Sequence, residues 1–497
     1  MRRQTGMAAS KSVSLAALRA EDSHMRASST KQAVQRLALL SCVAFAGLTS
    51  GHAHADDLRT IYELAIQNDP QIGAAEANYM ALREGVTQAR AQLLPFAQIS
   101  GNTTHGRRFS PQPFVDTNPT SPTFGEVISS HGPTARFNNH GWNASIQQAV
   151  FDVSRFFQWR QSKNLEAQAA ARFAGQQQEL IVRVAEAYFN ILQAQDKLSS
   201  SMAEQEAVER QLEQVRQRFD VGLVAITDVL ESTAAYDSSS VTVIVDEGAQ
   251  DISFERLLRL TGRSYGQISG LADDFPVEYP EPRDEEAWVQ AALQNNFDLK
   301  AAREAVRSAE KQVHISRAGH YPTVGAQASY SHNVSGGGDF FGSKNNSTNL
   351  SLQMSIPVFA GLSTRSRTKQ SAYRLDEAQR NFDLTQRTTV ETTRNLYSAI
   401  NTDVARVRAR LRAIESSQSA LDATETGYEV GTRNIVDVLI AQQRLFAAQF
   451  QYASARYQYI MDTLRLKQIV GSLSPQDIYD LNQFIQGNTG IERVKSN

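Results

Sequence analysis

Two stretches of this chain make the same break. RFDVGLVAITDVL (218–230) and GYEVGTRNIVDVL (427–439) each set an aromatic residue and an acid before Val-Gly, pass through a short irregular link and resume at Asp-Val-Leu. Gly222 and Gly431 lie 209 residues apart, and so do Asp228 and Asp437. The likeness runs far beyond the break. AIQNDPQI (65–72) matches ALQNNFDL (292–299), Pro95 matches Pro322, Val150-Phe151 matches Val358-Phe359, Tyr188 matches Tyr397, and Gly262 matches Gly471. A chain made of two copies of one unit is constrained to a fold with two equivalent halves. The copies span 56–272 and 287–474, the Pro- and acid-rich DDFPVEYPEPRDEE (273–286) links them, and 475–497 is a tail. Between the matched proline and phenylalanine the first copy takes 56 residues and the second 37, so the first holds a longer insertion.

Proline placement says what each copy is built from. None of the 13 prolines falls in 134–275 or 358–474, so long helices are unopposed there. Tyr397, Ile400, Val404, Val407, Leu411, Ile414, Gln418 and Leu421 alternate spacings of three and four, a heptad seam. The first copy repeats it with Tyr188, Ile191, Leu198, Met202, Leu212, Val215 and Phe219, interrupted by Gln195, Gln205 and Glu209. A period of 3.5 predicts left-handed coiled-coil packing, and a helix over roughly 154–219 would be about 100 Å long. At each Val-Gly, glycine accepts the left-handed conformation that closes a helix, and Thr227 or Asp228 in the first copy, or Asn434 in the second, caps the next. Each copy is therefore a helical hairpin, which by itself requires nothing beyond a turn.

Ahead of each long helix the period changes to two. In NLSLQMSIPV (349–358) apolar residues alternate with Ser351, Gln353 and Ser355, and in VGAQASYSH (324–332) with Gly325, Gln327, Ser329 and Ser331. Trp142, Ala144, Ile146, Gln148 and Val150 alternate with Asn143, Ser145 and Gln147, and a weaker alternation surrounds Ala97 and Ile99. Between the paired strands lie loops such as SGGGDFFGSKNNS (335–347). The polar faces carry almost no charge, which suits a water-filled lumen, while the apolar faces suit a core or lipid. Four strands do not close a barrel alone and open edges are not tolerated in lipid, so a membrane role requires an oligomer.

These features resemble the TolC family of trimeric outer-membrane efflux and secretion channels, along the chain from about Asp57 to Gln483. The motifs that carry the likeness are RFDVGLVAITDV, GYEVGTRNIVDVL and ARYQYIMDTLRLKQIVGSLSPQDI. The resemblance implies a mixed α/β membrane protein, in which a long antiparallel coiled-coil helical barrel joins a shared twelve-stranded transmembrane β-barrel, four strands coming from each chain of a homotrimer. Residues 96–109, 141–151, 323–332 and 348–358 would supply the strands, and the tail 475–497 would lie near a mid-tunnel belt. The Val-Gly turns would form a periplasmic tip that closes the channel and meets a periplasmic adaptor (membrane fusion) protein coupled to an inner-membrane pump or ABC transporter. By the same resemblance, Thr227, Asp228, Tyr428 and Arg433 fall on the closing network, Asp437 on a lumen-facing cation ring, and Gly222, Leu223, Gly431 and Thr432 on the adaptor-docking surface. A second acidic position one turn after Asp437, common in the family, is Ile440 here.

Other classes find little support. Net charge is −2, from 50 basic and 52 acidic residues, so no global field recruits nucleic acid. No His-Glu-x-x-His, Gly-x-Ser-x-Gly or phosphate loop occurs. His52 and His54 flank a cleavage site, and His105, His131, His140, His320 and His332 scatter through strands and loops, so neither enzyme chemistry, a metal nor a cofactor is expected. GGGD (336–339) reads as a flexible loop. The rival is a secreted or periplasmic soluble coiled-coil scaffold, which explains the heptads but not the four amphipathic strands.

The first 55 residues read as an export signal: Lys31 and Arg36 precede the apolar LALLSCVAFAGL (37–48), and Ala53-His54-Ala55 is an A-x-A cleavage site. Residues 1–24 are long for an n-region, which points to Met25 as the natural start. Lipidation at Cys42, the single cysteine, would bisect the apolar run. No downstream stretch is apolar enough for a transmembrane helix.

Overall fold

The structure, a computed structural model, describes residues 56–108, 112–130, 135–337 and 340–494. The expected signal segment 1–55, with Met25, Cys42 and Ala53–Ala55, lies outside the described residues, as do His131 and the pair Gly338 and Asp339 of the GGGD stretch.

Asp57 and Asp69 start the first half. Each carboxylate accepts a backbone amide, from Thr60 at 2.8 Å and Gln71 at 2.9 Å, and so caps α1 (Leu58–Asn68) and α2 (Pro70–Ala91). Strand β1 (Phe96–Arg108) follows, then the short hairpin of β2 (Gln112–Val115) and β3 (Val127–Ser130) inside the longer insertion, then β4 (Ala135–Phe151). Asp152 caps α3 (Val153–Asp220) through the Arg155 amide at 3.1 Å, and α4 (Ile226–Thr261) returns antiparallel to it. Strand β5 (Gln267–Leu271) ends the half. The second half repeats the order with α5 (Glu285–Asn295), α6 (Phe297–Ala318), β6 (Thr323–Gly337), β7 (Phe340–Ser355), α7 (Ser363–Glu429) and α8 (Ile435–Val470). Asp284 and Asn296 cap α5 and α6 as Asp57 and Asp69 cap their counterparts.

The long helices α3 and α7 have 68 and 67 residues, about 100 Å each at about 1.5 Å per residue. Of the heptad seam, Tyr188, Ile191, Leu198, Leu212, Val215, Ile400, Val404, Val407 and Leu421 are buried, whereas Met202 and Leu411 are 50% and 47% exposed. The main core lies midway along the helices, where Leu58, Ile61, Tyr188, Ile191, Phe254, Leu257 and Leu464 pack together. Polar contacts pin that level: Tyr188 Oη donates to the Ser269 carbonyl at 2.5 Å and Arg183 pairs with Asp69 at 2.6 Å. Asp403 is buried on α7 beside Asp462 of α8, and burial, with that second carboxylate, raises its pKa to about 6 despite the Arg406 guanidinium 2.8 Å away.

Four antiparallel strands form one sheet in the order β1-β4-β6-β7. Its cross-strand rows separate by chemistry: Gln98, Ser145, Ser329 and Asn349 share one face with Ser100, Asn143, Ser331 and Ser347, and the other face carries Ala97, Ile146, Ala328 and Leu350. The first and last strands, β1 and β7, leave open edges.

Two expectations need correction. The strands differ from 141–151, 323–332 and 348–358, because β4 begins at Ala135, β6 runs to Gly337 and β7 spans Phe340–Ser355. The stretch 335–347 is thus mostly paired strand rather than loop, since Ser, Asn and Gly alternate as readily as apolar residues and each backbone still completes the ladder. Strand β7 stops before Ile356 because Pro357 has no N–H to give. The tail is structured: Ser474 is the N-cap residue of α9 (Pro475–Asn482), and β8 (Ile485–Glu492) pairs antiparallel with β5 of the first half.

Candidate functional site

The two Val-Gly turns close their helices identically. At the end of α3, Leu223 N–H donates to the Arg218 carbonyl at 2.8 Å and Gly222 N–H to Phe219 at 2.9 Å. At the end of α7, Thr432 N–H donates to Gly427 at 2.8 Å and Gly431 N–H to Tyr428 at 3.1 Å. These are the paired six-to-one and five-to-two bonds of a Schellman motif, which needs a left-handed residue, and Gly222 and Gly431 have φ of 77° and 78°. A small apolar cluster of Val215, Leu421, Ile435, Val438, Ala441 and Leu445, flanked by Val224, Val229 and Tyr428, joins the two hairpins.

The side chains beyond the turns differ. Asn434 caps α8 by accepting the Asp437 amide at 2.8 Å, while Asp437 Oδ2 accepts the Asn434 amide at 3.4 Å, a reciprocal capping box. Arg433 Nη1 lies 3.9 Å from the same carboxylate oxygen. In the first hairpin the expected cap by Thr227 or Asp228 is not made: α4 starts at Ile226, its N-cap is Ala225, which has no side-chain acceptor, and both residues sit inside the first turn. Thr227 Oγ1 instead donates to Asp228 Oδ1 at 3.4 Å.

Among the expected site residues, the structure therefore pairs Thr227 with Asp228, and Arg433 with Asp437. Among the described residues no hydrogen bond or ion pair joins Thr227 or Asp228 to Tyr428 or Arg433 within one chain. Tyr428 Oη is buried with no hydrogen-bond partner in the chain. Leu223 is 74% exposed, and the space outside Gly222 and Gly431 is open. Sequence reasoning passed over Arg218, whose guanidinium lies 5.0 Å from the Tyr428 ring centroid and ties the hairpins together. It also passed over Val221, Ile226 and Leu230, apolar residues left exposed at the first tip; their signal was RFDVGLVAITDVL itself, which has more apolar residues than one helix face can bury.

The matched segments of known proteins bear directly on this arrangement. Residues 61–263 and 288–472 match the family described as Outer membrane efflux protein. The chain belongs to that family. It is 33% identical over 452 residues to Outer membrane protein TolC of Vibrio cholerae, covering 90% of this chain and 98% of the relative. It is 29% identical to the Alkaline protease secretion protein AprF of Pseudomonas aeruginosa, covering 90% and 92% of the two chains. Among solved structures, the outer-membrane channel CusC superposes with a TM-score of 0.69 over 85% of this chain and 95% of that chain at 16% identity, a likeness of fold. The protein is accordingly an outer-membrane channel that gives cargo an exit, reaching into the periplasm, and not an enzyme; the soluble-scaffold alternative is set aside. Among the described residues no helix is long and apolar enough to cross a membrane.

Proposed function

We propose that three copies of the chain form one passive exit duct, in which β1, β4, β6 and β7 of each copy build a twelve-stranded transmembrane barrel and the long helices continue it as a periplasmic tunnel. The observation that carries this reading is the sheet. Ile99, Leu350, Leu352 and Met354 are 78%, 85%, 72% and 60% exposed on one face, the opposite face is polar and carries almost no charge, and both edges are unpaired. Lipid can cover that apolar face but cannot satisfy the edges, so β1 of one copy must meet β7 of the next.

On the same reading the tip faces a periplasmic adaptor through Gly222, Leu223, Gly431 and Thr432, and an inner-membrane pump or ABC transporter supplies the energy. Thr227, Asp228, Tyr428 and Arg433 act as the latch, with the partner of the Tyr428 hydroxyl on a neighbouring copy. Asp437 contributes to a carboxylate ring in the lumen. The family described as Outer membrane efflux protein and the relative named as a protease secretion protein support efflux and type I secretion as settings for the duct.

The described residues contain no cysteine, so pairs introduced one at a time along β1 and β7 report edge contacts directly. Oxidation in outer-membrane vesicles is expected to give dimer and trimer bands for pairs in register. A scan that leaves every pair monomeric would refute the shared barrel.

A further inference from the structure

Immediately below the sheet, the first turns of α3 carry Phe156, Trp159, Arg160 and Lys163 at helical spacings of three, one and three, which places them on one stripe. The stripe is built, not scattered. Lys163 Nζ lies 4.0 Å from the Trp159 ring centroid, the Arg160 guanidinium 5.0 Å from that of Phe156, and the two aromatic rings are 6.1 Å apart. Phe157 and Gln161 turn instead to α6, one stacked on His314 at 4.7 Å and the other bonded to Gln312 at 3.1 Å, which leaves Phe156, Arg160 and Lys163 exposed and Trp159 partly buried within the chain.

Charge sets its preference. No acidic residue lies between Val153 and Lys163; Asp152 is paired with Arg155, and Glu166 is the nearest acid further along the helix. Among the described residues neither Arg160 nor Lys163 takes part in an ion pair. The second half repeats the chemistry: Arg365, Arg367 and Lys369 open α7 with no acid before Asp376, and Lys369 lies 5.7 Å from the Tyr373 ring. The apolar sheet face ends at Val150, 60% exposed, with Val358 and Phe359 at 93% and 82% in the second half. The stripe begins about 5 Å beyond the helix start and ends about 15 Å beyond it, so it crosses a headgroup layer about 5–7 Å deep and ends past it.

We propose that this stripe seats the headgroup of an anionic phospholipid in the periplasm-facing leaflet. The rings lie at the membrane boundary, and the cations reach past them to the phosphate. An ethanolamine or choline headgroup brings its own positive charge against two cations that no carboxylate offsets, so phosphatidylglycerol binds in preference. This inference rests on the reading that the sheet spans the membrane.

Native mass spectrometry of the full-length protein tests it, with phosphatidylglycerol and phosphatidylethanolamine of matched acyl chains supplied in equal amounts. The unmodified protein should retain phosphatidylglycerol preferentially. Arg160→Gln with Lys163→Gln should lower that preference by about fivefold for each cation removed. The same loss of charge near the tip, Arg210→Gln with Arg216→Gln, should leave it unchanged, and an excess of soluble glycerol phosphate should displace nothing. Equal retention of the two lipids, an equal effect of the tip variant, or displacement by glycerol phosphate would each overturn the proposal. The spectrum also reports the oligomer: a monomer mass strikes the trimer reading alone, because lipid preference is read on whichever species carries it.

Discussion

The turn at Gly222 and the turn at Gly431 are closed by the same pair of backbone hydrogen bonds, yet their side chains are held differently. At the second turn Asn434 and Asp437 satisfy each other's amides, and Arg433 leans on the same carboxylate. At the first turn no side chain caps α4, and Leu223, Ile226 and Leu230 face solvent at 74%, 51% and 61%. A duplicated unit thus keeps the backbone that makes a hairpin and varies what surrounds it. The second tip is locked by its own residues, and the first is left with apolar and hydroxyl groups to offer elsewhere.

The comparison breaks most severely if both turns are made bulky. Replacing Gly222 and Gly431 by Trp meets no steric obstacle, since the positions face open space; the cost is the left-handed conformation, about 1–2 kcal/mol at each turn. Trimers should still assemble, while the indoles block approach of an adaptor hairpin and abolish export. The double Ala variant carries similar strain with almost no bulk and should retain most export. Export by the Trp variant at the level of the Ala variant would remove these turns from the docking surface.

Next in size is the latch. The Tyr428 hydroxyl is buried without a partner in its own chain, so Tyr428→Phe leaves no orphaned group behind in that chain and frees only the partner proposed for it on the neighbouring copy. Arg433 is 62% exposed and 3.9 Å from Asp437, a pair in the class worth about 0–1 kcal/mol. Tyr428→Phe with Arg433→Ser should therefore change thermal stability little but raise single-channel conductance in planar bilayers. Unchanged conductance would mean that these residues do not hold the tip closed.

Cation block should respond less. Asp437 serves the α8 cap as well as any lumen ring, so Asp437→Ala confounds two losses; Asp437→Asn keeps an acceptor and removes the charge. Block by a trivalent cation should weaken severalfold in the Asn variant. Ile440, 40% exposed one turn later, supplies no ligand, and Ile440→Asp should tighten block by a similar factor through added negative charge. If titration of conductance gives one affinity for all three proteins, neither residue lines the pore.

Much of this was legible because it depends on local rules. Glycine at a left-handed turn, proline excluded from long helices and period-two alternation gave the hairpins and four strands. The misread cap was legible too. The offset that matches Gly222 to Gly431 matches Ala225 to Asn434, and alanine offers no acceptor, so the first copy could be seen to lack the cap. What the sequence withheld are contacts made through space: β8 beside β5, Arg218 over Tyr428, and Asp403 buried against Asp462. Each joins residues far apart in the chain, and no spacing rule marks them.

The smallest expected effect isolates the lock itself. Asn434→Ala removes an acceptor that holds the Asp437 amide at 2.8 Å, a loss of about 1 kcal/mol for a typical N-cap. Thr227→Ala removes only a 3.4 Å contact between neighbouring exposed side chains and should stay within about 0.5 kcal/mol. Hydrogen exchange separates the two because it reads opening locally. Amides 435–438 should exchange about fivefold faster in Asn434→Ala, the factor that corresponds to about 1 kcal/mol, while amides 226–229 in Thr227→Ala keep the rate of the parent protein. Equal acceleration in both variants would show that the two tips are held alike and that the capping box adds nothing to the second.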